Sequence, residues 1–259
     1  MNPTRATPLS RRWLIESRLG FYEILLVTAS ALLYFLIRGN VVDRAVEAFV
    51  RGIAVVHLER TLGIFWELSL QSVVLKSMLL TKLFNYVYFW LHLPLILGFG
   101  LWLYLRHRDR YVVIRNAFLV SGGIGLLIYN LFPVAPPRLM PSFGFVDTMA
   151  IFSQVNYQAQ SLRPFVNPFA AIPSLHFGWA LLMSIGILMA TRNRPLRIFA
   201  IVVPFAQFFA IIVTGNHFIL DALVGGAVAM AGLGISLGML HMGLVLPWER
   251  AAVQRAAAA

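Results

Sequence analysis

The stretch "AAIPSLHFGWALLMSIGILMA", residues 170–190, decides the fold. After Ser174 it is an apolar run of membrane-span quality, since a spanning helix takes about 20 mostly apolar residues. Pro173 and Ser174 stand at its mouth. Serine is a preferred N-cap and proline suits the first helical turn, so a helix is expected to start here. His176 then falls in the first turn, beside unpaired backbone N–H groups and the positive end of the helix dipole. That is a place to hold an anion. It is also a depth at which an amphipathic ring rests among lipid headgroups.

The rest of the chain has the same character. Of its 259 residues 59% are hydrophobic and 12% charged, against about 45–50% and about 25% in soluble domains. Apolar runs at 20–38, 84–105, 112–132, 173–190, 197–214 and 217–243 predict an all-α integral membrane protein, a bundle of six transmembrane helices. The first run reads as an anchor rather than a signal peptide. At 41–58, Val42, Val46, Phe49, Val50 and Ile53 recur at helical spacing opposite Asp43, Arg44, Glu47 and Arg51. This predicts an additional amphipathic interfacial helix. Residues 61–82 are too apolar for a free loop and too interrupted for a span. The expected organisation is an N-terminal anchor with the interfacial segment over 1–82, a catalytic core over 83–246 and a tail over 247–259. With no cysteine in the chain, disulfides and thiolate chemistry are excluded.

The formal net charge is +11. In a soluble protein that would point to nucleic acid, but here the basic residues cluster beside apolar runs, so no nucleic-acid partner is expected. Four arginines precede the first run (5, 11, 12 and 18), four surround the loop after the second (106, 108, 110 and 115), three follow the fourth (192, 194 and 197) and two follow the sixth (250 and 255). The positive-inside rule puts these thirteen in the cytoplasm. Both termini are then cytoplasmic, and 40–82, 133–172 and 214–217 face outward from what is expected to be a bacterial cell membrane.

Three of the outward stretches carry groups that a bare bundle does not need: "FPVAPPRLM" at 132–140, "NPFAAIPSLHFGW" at 167–179 and "TGNHFILDALVGG" at 214–226. His217 and Asp221 are four apart, on one face of a helix. A carboxylate there fixes the imidazole tautomer and leaves the second nitrogen free to attack; the same pair can also be a purely structural bridge. Arg138 follows two stiffening prolines, and its planar fork suits phosphate. Arg163 in "SLRPF" is a second outward arginine, and the Ser174 hydroxyl beside His176 is a further candidate to bind the phosphate. Together these compose a phosphoryl-transfer site: a nucleophilic histidine with its carboxylate, a second histidine as acid, and arginine for the phosphate. No glycine-rich phosphate loop and no acidic cluster for magnesium is visible, so neither a cofactor nor a metal is expected.

"PSLH" followed by "HFILD" resembles the type 2 phosphatidic acid phosphatase superfamily, whose members carry P-S-G-H and H-x-x-x-D motifs. "APPR", "NPFAAIPSLHFGW" and "GNHFILDALVGG" are closer to the branch that includes inositol phosphorylceramide synthase. The resemblance covers roughly residues 83–240. It implies a six-helix bundle and metal-independent chemistry, with His217 as nucleophile, Asp221 as its orienter and His176 as acid on the leaving group. Two departures matter. The serine and arginine that the superfamily places seven and six residues before its nucleophile are Ala210 and Ile211 here. Its K-x6-R-P motif survives as Arg163 and Pro164, with Asn156 in place of the lysine. Arg138 becomes the main candidate for the phosphate and Arg163 the second.

The expected activity is cleavage of a phosphoester or phosphoanhydride in a membrane lipid at the extracytoplasmic face. Either phosphate is released to water, or a phospho-headgroup such as inositol phosphate passes to a lipid alcohol. Two rivals stand beside it: a lipid transporter or binding protein built from the same polar groups, and a zinc hydrolase using His176, His217 and Asp221 as ligands.

Overall fold

A computed structural model of the chain describes residues 20–33, 44–152, 167–244 and 246. The described residues are helical, with no strand and a single isolated bridge between Val134 and Ala170. Helix α1 covers Gly20–Leu33 and α2 Ala45–Leu62. Two short helices follow, α3 at Glu67–Leu75 and α4 at Met78–Tyr86. A π-helical turn at Val87–Leu91 leads into α5, His92–Arg106, and then comes α6, Arg108–Leu131. Beyond two 3₁₀ turns, at Pro137–Leu139 and Pro141–Phe143, lie α7 (Thr148–Phe152), α8 (Leu175–Ala190), α9 (Arg194–Val213) and α10 (Ile219–His241).

Among the described residues α6, α9 and α10 are long and apolar enough to cross a bilayer. The α4 and α5 pair, bent by 46°, makes a fourth span if taken as one. Six were expected. The described part of α1 and the 16-residue α8 are shorter. At 1.5 Å per residue α8 reaches about 24 Å, less than the roughly 30 Å of a hydrocarbon core. Residues 61–82, ambiguous in the sequence, resolve into α3 and the first part of α4.

Glycine lets the central helices touch. α10 lies against α6 and α8, and α8 against α9. A Cβ on Gly225 of α10 would stand 2.1 Å from the Ser174 carbonyl oxygen, and one on Gly178 of α8 would stand 2.5 Å from that of Gly225. A Cβ on Gly232 would meet the Ala117 carbonyl of α6 at 2.7 Å. Small residues at membrane-helix interfaces allow such approach, and interhelical hydrogen bonds then lock the register. Ser236 Oγ donates to the Val113 carbonyl at 2.7 Å, and Tyr129 Oη to that of Pro173 at 2.7 Å.

α2 packs differently from its amphipathic reading. Its buried face is Ala48, Gly52, Val55, Val56 and Glu59, while Val46 and Val50 of the apolar stripe are 81% and 61% exposed. Close approach decides this: a Cβ on Gly52 would lie 2.9 Å from the Ala135 carbonyl, so the small residues turn inward. Arg44, Glu47 and Arg51 form an ion-paired row as the sequence placed them. Arg44 and Arg51 also donate to the carbonyls of Asn130 and Leu131, at the C-terminal end of α6. Cations there complement the helix dipole. Arg115, counted among the loop arginines, is instead buried and paired with Glu23 of α1, which also accepts from Tyr111 Oη at 2.9 Å.

Gly225→Ala should force α8 and α10 apart. Thermal unfolding in detergent should show a loss of about 1–3 kcal/mol or more, the usual cost of overpacking. Gly234→Ala, whose Cβ meets nothing within 4 Å, should unfold like wild type.

Candidate active site

The site lies where α8 and α10 begin and α9 ends. Ser174 is the N-cap of α8, its Oγ accepting from Phe177 N–H at 3.5 Å. His176 is therefore in the first turn, as its sequence context predicts. The Ser174 N–H donates to the Asp221 carbonyl at 2.9 Å, tying this mouth to α10. Ser174 itself is fully buried.

α9 ends at Val213, and Thr214, Gly215 and Asn216 turn the chain back. Gly215 sits at φ +72°, in the left-handed region where glycine costs least. Its carbonyl accepts from Arg138 N–H at 2.7 Å, which brings the 3₁₀ turn of "APPR" against the histidine loop. Gln71 of α3 laces the turn from behind: its Nε2 donates to the carbonyls of Val213 and Val146, each at 3.0 Å.

His217 precedes α10 rather than lying on it, so the pair with Asp221 is not the helical i, i+4 contact expected. It forms because Asp221, in the first turn, folds back: Oδ2 accepts from Phe218 N–H at 2.8 Å and lies 3.3 Å from His217 Nδ1. A nearer acceptor, the Ala171 carbonyl, stands 2.8 Å from the same nitrogen. Carbonyl oxygen can only accept, so Nδ1 carries the proton and the lone pair of the neutral ring is on Nε2. Both residues are buried, Asp221 completely.

His176 faces this ring across 5.8 Å between centroids. It is sandwiched by Tyr88 at 4.4 Å and His92 at 4.2 Å. His92 stacks in turn on Trp179 at 6.2 Å. Tyr88 belongs to the π-helical turn and His92 opens α5; such single π turns are frequent at functional sites. The Arg138 side chain is 8% exposed and reaches Asp147 Oδ2 at 3.5 Å. Arg163 lies outside the described residues.

Two further carboxylates close the back of the site. Glu59 Oε1 accepts from Leu220 N–H at 2.7 Å and Glu67 Oε1 from Ile219 N–H at 2.9 Å. Burial first, then the neighbouring Glu67, pushes the Glu59 carboxyl up to about 9. Among the described residues no three His, Asp or Glu side chains are placed to ligate one metal ion.

The structure thus gathers His217, Asp221, His176 and Ser174, with Arg138 on the adjoining turn. Sequence reading missed Tyr88, His92, the Ala171 carbonyl, Asp147 and the pair Glu59 and Glu67. Tyr88 and His92 did leave a signal, two polar rings four apart inside an apolar run. The Ala171 carbonyl left none, because backbone groups carry no sequence mark.

Comparison with known proteins follows this geometry. A family model described as PAP2 superfamily matches residues 53–235. A phosphoinositol dihydroceramide synthase of Bacteroides thetaiotaomicron is 27% identical over 158 residues, 55% of this chain and 50% of that protein. The match therefore spans about half the length of that relative. No solved structure matches.

The tautomer is open to test. Nitrogen NMR of the ¹⁵N-histidine-labelled protein should find the neutral His217 ring protonated on Nδ1. An Nε2–H ring would remove the attacking lone pair and contradict the assignment.

Proposed function

The chain belongs to the PAP2 superfamily, and from that premise we propose that it is an integral membrane enzyme working through a phosphohistidine on a lipid phosphoester or phosphoanhydride. One observation carries the reading: His217 is held by Nδ1 between Ala171 and Asp221, with Nε2 left for chemistry and the His176 ring opposite. His217 Nε2 attacks phosphorus, and the bond to the leaving oxygen breaks. Protonated His176 gives that oxygen its proton. The now neutral His176 then takes a proton from the second nucleophile, water or a lipid alcohol, as it attacks phosphorus and releases His217. Arg138 meets the charge on the transferring group, with Arg163 as a further cation and Ser174 fixing the helix mouth beneath it. No step calls for a metal.

The name of the Bacteroides relative favours transfer of a phosphoinositol headgroup to a ceramide-type lipid alcohol over release to water. An apolar cavity of about 670 Å³ between α1, α5 and α6 supports a lipid chain lying beside the site, for Trp179 lines it and also stacks on His92. The clustered arginines support an extracytoplasmic site with both termini in the cytoplasm, α2 on the outer interface, and α1 and α8 completing six spans.

Purified protein in lipid micelles should convert phosphatidylinositol and ceramide to an inositol-phosphate lipid, and acid-labile phosphoenzyme should be trapped from radiolabelled substrate. His217→Ala should abolish the trapped species and lower turnover by on the order of 10⁴-fold or more. His176→Ala should cost on the order of 10²–10³-fold, and much less with a p-nitrophenyl leaving group that needs no proton. Persistent phosphoenzyme in His217→Ala would sink the mechanism.

Orientation has its own test. The chain has no native cysteine, so Ser142→Cys and Arg194→Cys, both exposed positions, report alone. An impermeant maleimide should label them from opposite sides of the membrane. Labelling of both from one side would overturn the map.

A further inference from the structure

Glu59 and Glu67 have no part in the chemistry above, yet both are fully buried against the catalytic helix. They come from different helices, α2 and α3, and their carboxyl groups meet at adjacent N–H groups of the first turn of α10. One oxygen of each is used: Glu59 Oε1 takes the Leu220 N–H and Glu67 Oε1 the Ile219 N–H. The other oxygen of each, Oε2, is buried without a hydrogen-bond partner among the described residues. Native proteins rarely leave such atoms unsatisfied, least of all on charged groups.

We propose that Glu59 and Glu67 hold one proton between their Oε2 atoms and, as a singly charged pair, pin the first turn of α10, which makes them positioning residues for His217. One proton satisfies both orphan oxygens at once, donated by one Oε2 and accepted by the other. The pair then carries one negative charge rather than two. A single anion suits the positive end of α10, whereas two would face each other with no donor between them. The turn so held runs directly on from His217: Phe218, Ile219 and Leu220 give their N–H groups to Asp221, Glu67 and Glu59 in order. The groups that face Glu59 are Glu67 from α3 and Asp221 from α10, with His217 behind Asp221. Arg60, next in the α2 sequence, turns outward over the rings of Phe65 and Phe143.

The proton has a sign in stability. A carboxyl whose folded pKa is raised holds a proton in the folded state that the unfolded chain has already lost. Its contribution is complete below the ordinary carboxylate range and is lost as pH rises toward the raised value near 9. Tm of the full chain in detergent should therefore fall as pH goes from about 5 to about 10, and the fall should be smaller in Glu59→Gln. Glutamine copies the protonated acid, its carbonyl accepting the Leu220 N–H and its amide donating to Glu67 Oε2. Infrared spectra of the wild type should contain a buried protonated-carboxyl band that titrates over the same range and is absent in Glu59→Gln and in Glu67→Gln.

In the transfer assay either single glutamine should stay within about threefold of wild type. Glu59→Ala, or glutamine at both sites, should lose roughly tenfold or more in kcat with little change in KM, as for a displaced catalytic group. The positioning role rests on His217 being the reacting group, but the shared proton does not, so the two can fail separately. A wild-type infrared spectrum without the band would overturn the shared proton. Single glutamines as damaging as alanine would mean that negative charge, not a proton bridge, holds the turn. Unchanged kcat in Glu59→Ala would remove the positioning role.

Discussion

The first turn of α10 constrains everything around it. A helix start leaves backbone N–H groups without partners, and burying them in an apolar bundle is costly unless something accepts. Here Phe218, Ile219 and Leu220 are answered by three carboxyl groups from three helices, Asp221, Glu67 and Glu59. That need fixes where α2 and α3 sit, since each must deliver an acid to the same turn. It also bends Asp221 back toward His217, so one carboxylate caps a helix and faces the imidazole at once.

The same rule governs the C-terminal ends of α6 and α8, with the sign reversed. The C-terminal carbonyls of α6 receive Arg44 and Arg51, and Arg197 of α9 donates to the Leu188 and Thr191 carbonyls at the end of α8. Acids meet helix starts and arginines meet helix ends, as the helix dipole favours. Arg197 and Arg115, which read as loop charges, are thus structural. Arg115 goes furthest, buried beside Glu23 where it joins α1 to α6.

Glycine contact turns these local solutions into one site. With Gly225 against the Ser174 carbonyl and Gly178 against that of Gly225, the mouths of α8 and α10 cannot drift independently. The Ser174 N–H bond to the Asp221 carbonyl completes the lock. A histidine from each mouth then faces the other at a set distance. The attack by His217 and the proton transfer by His176 proposed above would draw on such preorganisation.

What the sequence alone determined is written in side chains and their spacing. Apolar runs marked the helices, Ser174 marked the start of α8, and "PSLH" with "HFILD" marked the family and the two histidines. Long-range backbone geometry was not legible. The nearest partner of His217 Nδ1 is a carbonyl 46 residues away, and two of the three acids that answer the α10 turn come from more than 150 residues upstream. Spacing even misstated the contact it found: His217 and Asp221 meet because an aspartate folds back to cap its own helix, not because they share a helical face. The apolar stripe of α2 faced outward for a related reason, since the inward side had to be small enough to touch the backbone at Ala135. Periodicity records which residues share a face; which face turns inward, and which backbone groups it must satisfy, is decided only once the helices are packed.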